Sequence, residues 1–169
     1  QPGMYKGWVV SPDAALRFSK DASRLFFGTS PAPLQKDKRV LPENRPNVQV
    51  WSGNEPVQYT VQQYNVKKDL KKSYAAVFLL NENKMIQLAD TALQETLLPS
   101  ENGEWAIVYT SRPYSLSSMW EGRTRADYYK VSLCTGERSL LKTADYTRYR
   151  ISPEGRFAYG YNPTDSCWY

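Results

Sequence analysis

Three stretches of this chain superimpose residue by residue. They are Ser19-Lys-Asp-Ala-Ser-Arg-Leu-Phe-Phe-Gly-Thr-Ser30, Ser100-Glu-Asn-Gly-Glu-Trp-Ala-Ile-Val-Tyr-Thr-Ser111 and Ser152-Pro-Glu-Gly-Arg-Phe-Ala-Tyr-Gly-Tyr-Asn162. Each opens with a polar turn holding an acidic or amide residue and a Gly or Ala, then runs into an apolar strand. The copies start 81 and 52 residues apart. A unit this small cannot bury its own apolar face, so neighbouring units must stack. That favours a repeat architecture over a stand-alone all-β lipid or sugar binder that only mimics the repeat.

A second marker gives the same period. Tyr74-Ala-Ala-Val-Phe-Leu-Leu80, the turn Asn81-Glu-Asn-Lys84 and Met85-Ile-Gln-Leu-Ala89 read as a strand hairpin. So do Asp127-Tyr-Tyr-Lys-Val-Ser-Leu133, Cys134-Thr-Gly-Glu137 and Arg138-Ser-Leu-Leu-Lys142. Asn83 and Gly136 hold equivalent places 53 residues apart. Several strands in each unit of about 40–50 residues is the pattern of a β-propeller. The expected fold is therefore all-β: a partial β-propeller of about two four-stranded antiparallel blades plus parts of flanking blades. One blade is expected at 14–90, a second at 96–144 and a partial one at 147–169. Tyr5–Val10 would finish an earlier blade.

The spacing also locates an insertion. Ser100 to Gly136 spans 36 residues and Ser19 to Asn83 spans 64, so the first unit carries 28 more, within 31–73. That stretch holds Pro31, Pro33, Pro42, Pro46 and Pro56. Proline disfavours helix interiors and central strands. An extended loop is predicted there, with one short strand at Val48-Gln-Val-Trp51. Helical periodicity is weak throughout. Its best stretch, Val66–Ala75, runs straight into an apolar strand, and no helix is assigned. Leu25-Phe26-Phe27 and Trp105-Ala106-Ile107-Val108 are almost continuously apolar, as strands covered on both faces are. Arg138–Thr143 is more polar and suits an outer strand.

Composition restricts the chemistry. The chain has no histidine and two cysteines, Cys134 and Cys167. Neither a Cys/His zinc pattern nor a two-histidine metal site can be built from that set, and no metal or cofactor is expected. The two cysteines either stay as half-buried thiols or pair, should neighbouring units bring them together. Asp13, Asp21, Glu101 and Glu154 read as turn formers, because no loop has the dense carboxylates of a calcium site. No apolar run approaches the roughly 18–20 residues of a membrane span, and no signal peptide is visible at Gln1. The net charge is +5, but most bases alternate with acids. The dense run Lys67-Lys68-Asp69-Leu70-Lys71-Lys72 reads as a solvated loop leading into the strand at Tyr74. No recognition motif accompanies it, so no nucleic-acid partner is expected. The Tyr-rich segment Tyr146–Tyr161 suits packing better than a carbohydrate platform. One segment stands out as a candidate binding loop: Trp120, Arg123 and Arg125, within Arg112–Ala126. Loops often carry binding, and Trp and Arg are common interface anchors.

Several of these motifs resemble a known family. Ser152-Pro-Glu-Gly-Arg-Phe-Ala158 is similar to the repeat of Tol-B-like and peptidase propellers. Val48-Gln-Val-Trp51, then Gln62 or Gln63, then the basic stretch before Tyr74-Ala-Ala-Val-Phe78 resembles the N-terminal propeller of prolyl oligopeptidase family serine peptidases of the dipeptidyl peptidase type. Trp120-Glu-Gly122, Asp127-Tyr-Tyr-Lys-Val-Ser-Leu133 and Thr135-Gly-Glu-Arg138 are similar to a later blade segment there. The resemblance covers roughly residues 11–169. It implies a propeller that scaffolds and gates a serine peptidase, with the catalytic Ser, Asp and His on a C-terminal α/β-hydrolase domain outside this chain. The implied partners are that domain and the peptide substrate, and the implied location is periplasmic or secreted. This chain has no Gly-x-Ser-x-Gly elbow and no imidazole base, so by itself it is not expected to be an enzyme. No catalytic or substrate-binding residue carries over. The alternative is a Tol-B-like propeller that binds protein or glycan with no hydrolase attached. Either way, open sheet faces at both ends predict self-association of the isolated chain.

Overall fold

The computed structural model describes residues 3–33, 39, 41, 43, 48–49 and 51–169. The chain is mostly β, in antiparallel sheets, one of them curled into a half-barrel. The first sheet holds β1 (Trp8–Val10), β2 (Arg17–Phe18), β3 (Arg24–Pro31), β4 (Tyr74–Leu79) and β5 (Lys84–Gln87). β3, β4 and β5 pair in chain order. β1 and β2 share the other edge of β3, with Val10 opposite Thr29 and Phe18 opposite Leu25. The second sheet is a four-stranded meander of β6 (Glu95–Leu97), β7 (Trp105–Thr110), β8 (Ala126–Ser132) and β9 (Arg138–Asp145). Two short hairpins follow: β10 (Arg150–Ile151) with β11 (Ala158–Tyr159), and β12 (Tyr161–Asn162) with β13 (Cys167–Trp168).

The repeated sequence folds into repeated geometry. In the first turn the Ser19 N–H donates to Arg24 O at 2.9 Å, and the Arg24 N–H donates to Ser19 Oγ at 3.0 Å. In the third, the Ser152 N–H donates to Phe157 O at 2.8 Å, and the Phe157 N–H donates to Ser152 Oγ at 3.0 Å. Ala22 and Gly155 occupy the same place and share the left-handed backbone, with φ of 55° and 69°. The hairpin residues Asn83 and Gly136 match likewise, at 51° and 78°. The middle turn lies between the other two. Its Asn102 Oδ1 accepts from the Asp21 N–H at 3.0 Å, and its Glu101 N–H donates to Pro153 O at 2.9 Å. Gly103 is needed here, since a Cβ would sit 2.7 Å from Glu154 O.

Apolar alternation explains the stacking. Phe26, Val77, Leu79, Ile86 and Leu88 of the first unit pack against Ala106, Val108, Val131 and Leu133 of the second. Ile107 and Tyr128, on the opposite face of the second sheet, join a separate cluster with Tyr149 and Ile151. β7 is therefore covered on both sides, as its apolar run requires. Each buried Val, Leu, Ile or Phe side chain among them contributes about 1.5–3 kcal/mol. β9 is mostly exposed and lies at the edge of its sheet.

Four expectations need correction. The insertion is not loop throughout: α1 (Tyr59–Asp69) forms in it, because the prolines all lie before Val57 and the residues that follow are adequate helix formers. Val48, Gln49 and Trp51 are in no strand; Val50, the remaining residue of that expected strand, lies outside the described residues. The connection after β7 holds a 3-10 turn at Arg112–Tyr114 and a short helix, α2 (Ser115–Glu121), closed by Gly122 at φ 66°. Trp8–Val10 joins the edge of the first sheet, so it does not complete a preceding unit. Cys134 is half-buried and Cys167 exposed, and both are free thiols.

Candidate binding surface

Antiparallel strand order decides which connections lie together. The turns after β2, β4, β6, β8 and β10 share one end of the sheets. The connections after β3, β5, β7 and β9 share the other. The two ends differ in kind. The first is made of short, mutually bonded turns and is rich in acids: Asp21, Glu82, Glu101, Glu104, Glu137 and Glu154, against Lys20 and Arg156. The second carries the two long helix-bearing connections and is rich in bases.

On that second end Asp90, Glu121 and Asp145 are already engaged. Asp90 accepts from Arg138 Nη1 at 2.8 Å and from the Ala92 and Leu93 amides at 2.8 and 2.9 Å. Burial works to raise its pKa, but these bonds outweigh it and hold the carboxyl below its ordinary value. Asp145 is the same: burial raises, while the Thr147 amide and hydroxyl, the Tyr149 hydroxyl and Lys142 prevail in lowering it. Glu121 holds Arg125 and accepts from Tyr146 Oη at 2.8 Å. By contrast Lys67, Lys68, Lys71, Arg112 and Arg148 make no ion pair among the described residues.

The candidate loop divides into two parts. Arg125 is a tie within the protein. It bonds Ser117 Oγ and Glu121, and its guanidinium lies 5.2 Å from the Tyr114 ring and 5.8 Å from the Tyr146 ring. Tyr114 in turn donates to Asp127 at 2.6 Å. This network fixes α2 on the sheet. Trp120, on α2, is 88% exposed. Arg123 is exposed beside it and reaches Pro163 O at 3.5 Å. Leu116 and Met119 are exposed with Trp120. Beside this helix opens a cleft of about 580 Å³ lined by Leu93, Thr110, Arg112, Asp127, Tyr129 and Leu140.

The arrangement is suited to binding. Tyr128 and Tyr149 are pushed up to about 12, chiefly by burial, and Tyr114 and Tyr146 are raised chiefly by their carboxylate partners. These phenols stay protonated at neutral pH and act as donors, not bases. No histidine is present to activate a hydroxyl. Among the described residues no group of three or more metal-ligating side chains gathers. The basic helix α1 was missed in the sequence; its lysines were visible there, but the flanking prolines argued for loop. Comparison of the chain with family models and with curated proteins finds no match.

Proposed function

We propose that this chain is a segment of a β-propeller that scaffolds and gates a serine peptidase of the prolyl oligopeptidase type, whose α/β-hydrolase domain lies outside residues 1–169. The observation that carries the reading is the interleaving of equivalent units. Two successive antiparallel meanders stack face to face, with a third turn in line, and the middle strand is buried between neighbours. Blades around a channel are built this way. In such an enzyme the propeller does no bond-breaking and instead limits which peptides reach the catalytic serine. The chain alone is expected to hydrolyse nothing, because a serine hydroxyl without an imidazole base is a poor nucleophile. A second reading, a propeller binding module without a hydrolase, is favoured by the exposed Trp120.

The test is active-site labelling. The native polypeptide that contains this sequence is purified from its source and treated with a fluorophosphonate probe. Covalent labelling of a serine outside residues 1–169 is expected. An unlabelled native polypeptide refutes the peptidase reading and leaves the binding module.

A further inference from the structure

Within the chain, consecutive units cover one another in a fixed sense. Phe26 of the first unit packs against Ala106 and Val108 of the second and is 3% exposed. Its cross-strand partner Arg17 lies over its ring at 5.0 Å and donates to Pro99 O at 2.8 Å. Pro99 stands one residue before the second turn's Ser100. The turns bond in the same sense: the Asp21 N–H donates to Asn102 Oδ1, and the Glu101 N–H donates to Pro153 O. Each unit therefore has a leading face, bearing an aromatic or aliphatic side chain and donors, which the trailing face of the next unit covers.

The third unit builds the same leading face. Arg150 is opposite Tyr159 across β10 and β11 as Arg17 is opposite Phe26 across β2 and β3. Each arginine stands two residues before its turn serine. Here the pair is open: Tyr159 is 42% exposed, and the Arg150 side chain makes no hydrogen bond or ion pair among the described residues. Arg150, Tyr159, Tyr161 and Trp168 line a cavity of about 440 Å³. The first unit, in turn, has an open trailing face. Strand alternation points Leu25 and Phe27 away from the side that Phe26 shares with the second unit. Phe18, directly opposite Leu25, lies on their side and is 57% exposed. Phe18 also stands one residue before Ser19, as Pro99 does before Ser100.

We propose that the leading face of the third unit docks on the trailing face of the first unit of a second copy of this chain, so that copies join head to tail. Phe18 of the second copy enters the cavity against Tyr159 and Trp168, and Arg150 donates to its Phe18 O, as Arg17 donates to Pro99 O within the chain. The contact continues an interface that the chain already forms between its own units, and repeat units gain their burial from such neighbours. It is heterologous: the two surfaces differ, so each docked copy leaves one face of each kind free, and growth passes the dimer until a ring closes. Two leading faces do not pair, because they would set Arg150 against Arg150 with no acceptor for either. The inference rests on the stacking of equivalent units and needs no hydrolase: active-site labelling tests the peptidase, and association tests the docking.

The experiment is sedimentation velocity at roughly tens of micromolar on the 169-residue chain and on two variants, Phe18→Glu and Trp168→Glu. Both side chains are exposed, Trp168 at 72%, so the variants keep the fold, which circular dichroism checks. The unaltered chain is expected to form species larger than a dimer. Each variant alone is expected to stay monomeric, since a carboxylate would have to be buried at the contact. An equimolar mixture of the two is expected to form dimers and nothing larger, because the intact leading face of Phe18→Glu meets the intact trailing face of Trp168→Glu. Arg150→Ala, which removes one charged hydrogen bond and leaves the apolar contact, should weaken association of the otherwise unaltered chain by about tenfold. A mixture that stays monomeric overturns the proposal. So does a variant that still dimerises alone, the sign of two like faces in contact, and so does a monomeric unaltered chain. Association that Arg150→Ala leaves unchanged overturns the assigned register.

Discussion

The two equivalent turn positions allow opposite substitutions with opposite signs. Ala22 sits at φ 55°, where a Cβ costs an L-residue about 1–2 kcal/mol. Ala22→Gly removes that strain and gives back about 0.4–1 kcal/mol through the freer unfolded chain. The net gain is about 0.5–1 kcal/mol. Gly155 sits at φ 69°, and a Cβ there would lie 3.2 Å from both Gly103 Cα and Trp105 O. Gly155→Ala therefore adds the left-handed strain and crowds the middle turn, a loss of about 1–2 kcal/mol. The assay is urea unfolding followed by tryptophan fluorescence, at protein concentrations low enough to keep the chain monomeric. With a slope of about 2 kcal/mol/M, the midpoint should rise by roughly 0.3–0.5 M for Ala22→Gly and fall by roughly 0.5–1 M for Gly155→Ala. A lower midpoint for Ala22→Gly, or shifts of the same sign, would refute the claim that the turns are equivalent.

Leu133→Ala, at a fully buried position between the two sheets, should cost about 2–5 kcal/mol in the same assay, whereas Trp120→Ala should change stability by less than about 0.5 kcal/mol; a large Trp120 effect would mean the indole packs inside the chain. Asp21 is held down to about 2, mainly by the Ser19 hydroxyl, and Asp90 and Asp145 are also lowered. Carboxyls depressed in the folded state add stability above their ordinary value of 3.8 that is lost as pH falls toward 2. Urea midpoints should be flat from pH 7 to 5 and drop below 4, and a flat profile down to pH 2 contradicts this. Tyr128 and Tyr149, raised to about 12, act in the opposite sense: their contribution is complete below about pH 10 and is lost as pH rises to 12. Val10, Leu16 and Phe18 on the first sheet and Phe157 and Trp168 at the far end are exposed, so the isolated chain should self-associate at roughly tens of micromolar; monodisperse monomer in light scattering refutes this.

Apart from the expected strand at Val48–Trp51, strand positions were legible to within a few residues because two local signals coincided. Turn chemistry at Ser19 and Ser152 marked where strands begin, and the apolar runs at Leu25 and Trp105 marked strands covered on both faces. The helices were not legible. α1 buries nothing, so it leaves no apolar periodicity to read, and α2 is only seven residues long. The candidate loop was found for the right residue types, but sequence could not tell that Arg125 is bonded inward while Trp120 faces solvent. That difference depends on Tyr146, which the second sheet brings from beyond β9 to Arg125 and Glu121.

By itself the sequence determined the period, the antiparallel hairpins and the absence of an imidazole base, because each depends on residues close along the chain or simply on which residues are present. Tertiary structure alone decided that the three turns bond side by side and that the acidic turns and the basic connections lie at opposite ends. Those properties arise from strand direction and from contacts 80 or so residues apart, such as Asp21 with Asn102, and no local pattern encodes them.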